Sequence, residues 1–201
     1  MNTNLAPALL LTAALGAPGA GSDPQLTHIN WALEHSTACR RMLFGDLEDF
    51  RYIGAEGIVV VLSNLDPSGL ESQVVVEKRH DEQAVMRVTT LGVPLVDQLA
   101  AVHADAPSTS PDDACKKVQS TFTVTEDPRL EKLLMELRDI SMSPVLVAPF
   151  VIHGSSYKLW IFAAATESHF QFLGPGSSAS RVPSLQAWSD QLLSLAKPAQ
   201  E

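Results

Sequence analysis

The sequence predicts an α+β fold, with one or more largely antiparallel sheets flanked by about four helices. Two kinds of pattern and one bulk property predict it. Apolar runs of strand length are punctuated by turn residues, as in Ile58–Leu62, Asp66-Pro67-Ser68-Gly69 and Val74–Val76. Leucines recur at helical spacing elsewhere, most regularly at Leu130, Leu133, Leu134 and Leu137. The chain of 201 residues is 45% hydrophobic and 18% charged, the balance of a folded domain rather than a disordered one.

The N-terminus carries an apolar run, Leu5 to Leu15, followed by the small residues Gly16-Ala17-Pro18-Gly19-Ala20-Gly21. That layout predicts a signal peptide over 1–21, with cleavage after Gly19 or Gly21 and a secreted or periplasmic mature protein. The leader has no Lys or Arg, and neither cleavage site is Ala-x-Ala. The run is also well short of the ~20 apolar residues of a membrane span, so no stable membrane insertion is expected.

Leu26, Ile29 and Leu33 open a helix that runs to about Gly45. Ile58–Leu62 is apolar on both faces, as in a central strand. The Asp66–Gly69 turn leads to a second strand at Val74–Val76, making a hairpin, and a third strand spans Ala84 to Thr90. Leu95, Leu99 and Val102 mark a short helix with Pro94 at its start. These elements form an N-terminal half over 22–104. Residues 105–117, rich in Pro, Ser and Asp, read as a linker.

The C-terminal half, 118–201, opens with a strand over 118–125. Asp127-Pro128 then starts the Leu130–Ile140 helix. Three strands are expected at 145–152, 157–165 and 169–173, and Leu185, Trp188, Leu192 and Leu195 mark a last amphipathic helix. Both halves thus contain the order helix, three strands, helix, which suggests a tandem repeat packed as one globular unit. Val93-Pro94 with Asp97-Gln98-Leu99, set against Val182-Pro183 with Asp190-Gln191-Leu192, is the only sequence echo of it.

Charge narrows the partners. The chain has 14 Lys and Arg against 23 Asp and Glu, a net −9, and no basic run exceeds two residues. A nucleic-acid surface needs a basic stripe to neutralise phosphates, so nucleic acid is not expected as a partner. The expected partner is a protein or a small ligand, of unknown identity.

The cysteines are Cys39 and Cys115 alone, and in an exported protein such a pair predicts one disulfide. It closes a loop of about 76 residues (115 − 39), for which chain entropy gives about 4.5 kcal/mol.

Motifs for chemistry are sparse. His28, His35 and Cys39 share one side of the first helix and have ligand chemistry, but the disulfide consumes the thiolate and no fourth ligand is near. His153 and His169, with Ser155, Ser156 and Ser168, contain serine-hydrolase residue types. In a strand meander, however, the two histidines lie roughly 25 Å apart, and no Gly-x-Ser-x-Gly elbow exists. Gly174–Ala179 matches Gly-x-Gly-x-x-Ala, yet Pro175 removes a backbone donor and no second parallel strand follows. The clusters Asp46/Glu48/Asp49 and Asp112/Asp113 lack the calcium-loop pattern. No catalytic residue, cofactor or metal is therefore assigned. The expectation is a non-catalytic binding protein of the cell envelope or extracellular space. The alternatives are a secreted hydrolase with an unrecognised site, or an intracellular acidic chaperone-like protein if the leader is not a signal.

Overall fold

The computed structural model describes residues 24–140, 156–164, 166–173 and 183–196. The expected leader over 1–21, the expected strand over 145–152, and the glycine motif over 174–179 lie outside the described residues.

The fold is α+β, built on one six-stranded antiparallel sheet. The elements run α1 (Pro24–Phe44), α2 (Leu47–Gly54), β1 (Gly57–Leu65), β2 (Glu71–Arg79), β3 (Val85–Leu91), α3 (Leu95–Asp105), α4 (Pro111–Lys116), β4 (Ser120–Glu126), α5 (Arg129–Asp139), β5 (Ser156–Ala163), β6 (Thr166–Leu173) and α6 (Pro183–Ala196).

Two helices stand where none was expected. Asp46 caps α2, its carboxylate accepting the Glu48 N–H at 3.2 Å, and Glu48 and Asp49 then sit in the first turn, where the helix dipole favours negative charge. Gly45 makes this junction possible. Its φ of +87° ends α1, and a Cβ there would meet the Phe50 ring at 2.8 Å. The segment expected as a linker, 105–117, contains α4, capped by Ser110 through the Asp113 N–H. Both acidic clusters thus have a local structural role at a helix start.

The strand order is β4-β3-β2-β1-β5-β6. The β1–β2 hairpin turns at Asp66, whose carboxylate accepts the N–H groups of Ser68 and Leu70, with Gly69 at φ +85°. Of the strands after residue 117, β4 adds beside β3 while β5 and β6 add beside β1, on the opposite flank.

The two faces of the sheet are dressed differently. One buries Val60, Leu62, Val74, Val76, Met86 and Leu159 under α5 and α6. Leu130, Leu133, Leu134 and Leu137 supply the apolar face of α5, and the Trp188 indole of α6 donates to the Leu133 carbonyl at 2.7 Å. The other face buries Val59, Val61, Val75 and Phe162, with Phe50 of α2 over them. Helices α1, α3 and α4 make a third cluster of their own around Ala32, Cys39, Leu95, Leu99 and Cys115. The buried side of α1 is Ala32, Ser36 and Cys39, whereas Leu26 and Leu33 of the expected stripe are more than half exposed.

Candidate binding groove on the open face of the sheet

Strand register builds the candidate site row by row. Across the face under α2, Val61 has Val75 on one side and Trp160 on the other. One row further along, toward the β1–β2 turn, Ser63 has Gln73 and Lys158 as its neighbours. The face therefore changes from Val–Val–Trp to Gln–Ser–Lys within two residues of each strand. The Gln73 amide donates to Ser63 Oγ at 3.2 Å and is itself buried.

The C-terminal turns of α1 run past these polar rows. Arg40 donates to both oxygens of Glu71, at 2.6 and 2.9 Å, a forked ion pair that fixes the helix against β2. Glu71 is mostly buried, and its hydrogen bond raises the Arg40 pKa above the ordinary guanidinium value. Between helix and strands lies a groove of about 590 Å³, with Phe44 and Arg41 on the helix wall and Trp160 and Lys158 on the sheet wall. The Trp160 ring stacks on His169, its cross-strand neighbour, with centroids 4.9 Å apart and planes 8° apart. Among the described residues neither Arg41 nor Lys158 has an acidic partner within ion-pair distance. The groove thus offers an aromatic surface and two unneutralised cations in a chain of net charge −9.

Among the described residues, those singled out from sequence do not assemble into a reaction centre. His28, His35 and Cys39 do share α1, but each turns to a different neighbour. Cys39 lies at disulfide distance from Cys115, with their Cα atoms 5.2 Å apart, which ties α1 to α4. His28 Nδ1 is 2.9 Å from His103 Nδ1, so one ring donates and the other accepts. Trp31 stacks on His103 at 4.3 Å and meets the His35 ring at 4.7 Å. His103 came from a separate helix and had no sequence signal linking it to His28. Among the described residues no three His, Cys, Asp or Glu side chains converge as metal ligands. His153 and Ser155 lie outside the described residues. His169 is in β6 against Trp160, Ser156 opens β5, and Ser168 is exposed on β6.

A second cavity, about 460 Å³, lies between α5 and the far ends of β1, β2 and β5, with Ile58, Leu134 and Met135 among its lining. The Lys78–Glu131 ion pair at 2.6 Å stands in its wall. No helix among the described residues is long and apolar enough to cross a membrane. No protein-family model matches the chain, and no curated protein matches its sequence.

Proposed function

We propose that the chain is an exported, non-catalytic binding protein and that the groove between α1 and the open face of the sheet is its binding site. The ligand class is an anion with an apolar or aromatic body, either free or displayed on a partner protein. One observation carries this reading. Strands β1 and β2 present valines over most of their buried length, then Ser63 and Gln73 under the groove. A sheet built for stability alone continues the valines, because each buried apolar side chain contributes about 1.5–3 kcal/mol. Polar groups at those positions instead offer hydrogen bonds to an occupant, while Trp160 offers an aromatic face and Arg41 and Lys158 offer charge. The apolar leader and the Cys39–Cys115 pair support export, with the mature chain starting between Ala20 and Ser22.

The probe for this reading is 8-anilinonaphthalene-1-sulfonate, an aromatic anion whose fluorescence rises in apolar surroundings. Saturable binding to the wild type is expected. Lys158→Glu with Arg41→Glu weakens it by about tenfold or more, since two charge contacts reverse sign. Arg138→Glu, at the second cavity, leaves it unchanged. Binding that survives the double substitution, or is lost only with Arg138→Glu, places the ligand elsewhere and overturns the proposal.

A further inference from the structure

Among the described residues the sheet ends at β4 and β6, and these two edges are managed in different ways. At one edge, β6 is held down by its own side chains: Phe172 is buried and stacks on Tyr157 at 5.4 Å, and Phe170 packs against the core under α5 and α6. At the other edge, β4 is paired to β3 along its whole length but covered on neither face. Six of its seven residues are exposed and the seventh is half-buried. Phe122 and Val124 point to the open face with relative exposures of 61% and 56%. A strand that buries almost nothing still has to offset the entropy of ordering its backbone, about 1–2 kcal/mol per residue.

The sequence of this edge, Ser120-Thr121-Phe122-Thr123-Val124-Thr125-Glu126, lacks the features that keep edges apart. It has no Lys, no Arg and no Pro, and its single charge sits at the end. It is also self-complementary. An antiparallel pairing of two copies about Thr123 matches all seven residues. Phe122 then lies opposite Val124 twice over, Thr123 opposite Thr123, Thr121 opposite Thr125, and Glu126 opposite the uncharged Ser120. Aromatic–β-branched pairs are among the favourable cross-strand combinations, and this register places no like charges opposite each other. The dyad stands perpendicular to the sheet, so both open faces continue into one another and the two Phe122–Val124 pairs form one apolar patch.

We propose that β4 is an interaction edge whose partner is β4 of a second copy of this chain, joined antiparallel about Thr123 into one continuous sheet. This reading is independent of the groove and its ligand. The strand pair buries less than the ~1,200 Å² of a standard interface, so the dimer exchanges with monomer rather than forming permanently.

Sedimentation velocity on the full chain, over a concentration series from about 1 μM to 1 mM, tests this together with single-cysteine crosslinking. A concentration-dependent dimer is expected. Val124→Lys, at an exposed position that leaves the monomer folded, weakens it by about tenfold or more because the lysine faces Phe122 of the other copy. Mild oxidation of Thr123→Cys yields covalent dimer, and Ser168→Cys on the opposite edge does not. A chain that stays monomeric throughout overturns the proposal. So does a dimer indifferent to Val124→Lys, equal crosslinking from both edges, or protection from hydrogen exchange of the outward-pointing β4 amides, those not bonded to β3, that does not depend on concentration, which means another part of the same chain covers the edge.

Discussion

The two faces of the central sheet share strands but not a logic. On the closed face, successive inward positions of β1 and β2 are Val60, Leu62, Val74 and Val76, and two amphipathic helices cover them. On the open face, the same strands present Val59, Val61 and Val75, then Ser63 and Gln73, with a groove instead of a helix above the polar pair. The closed face is what a stable domain needs. The open face gives up apolar burial along the strands where a cavity, an aromatic ring and two cations without an acidic partner among the described residues meet. That contrast separates residues that hold the fold from residues available for binding.

The sharpest way to test the contrast is to damage the closed face. Trp188→Ala removes a buried ring and leaves the Leu133 carbonyl without its donor. A loss of about 3–5 kcal/mol is expected from urea unfolding. A loss under ~1 kcal/mol shows that α6 contributes little to the core.

The next effect in size lies away from the sheet. Cys39 and Cys115 join α1 to α4, and α1 forms the helix wall of the groove. Cys39→Ala is expected to lower stability by about 2–4 kcal/mol. Two free thiols in unfolded, unreduced protein count against the bridge.

A smaller effect concerns pH. The Glu131 carboxyl is held below its ordinary value chiefly by its hydrogen bond from Lys78. Its folded pKa is depressed, so its contribution is present above the unfolded value of about 4.5 and is lost as pH falls through the lower folded value. Lys78→Met therefore flattens the acid side of the stability–pH curve slightly, and leaves the slope near pH 7 as it was. An unchanged acid limb means the pair is solvated out.

Legibility in the sequence followed the same division. The α5 stripe and the α6 ridge on the closed face were readable because large apolar side chains recur at helical spacing. The face of α1 was not. Its buried positions are the small residues Ala32, Ser36 and Cys39, which let it pack against α3 and α4, while the conspicuous Leu26 and Leu33 point outward. Helix α2 escaped notice because its eight residues are too few to show a period, and its cap, Asp46, read as part of an acidic cluster. The groove was invisible for a different reason. Ser63, Gln73 and Lys158 are unremarkable one by one, and only the register of β1 between β2 and β5 sets them in one row. The His28–His103 contact likewise joins two helices 75 residues apart.

The most direct measurement is on Ser63→Val with Gln73→Val, which extends the apolar rows across the groove floor. Unfolding free energy and 8-anilinonaphthalene-1-sulfonate binding are read on the same protein. If the polar pair is there for a ligand, stability stays within about 0.5 kcal/mol of the wild type or rises, and probe binding falls by about tenfold or more. A loss of more than about 1 kcal/mol with binding intact contradicts the account, because the pair then serves the fold and the groove is not the site.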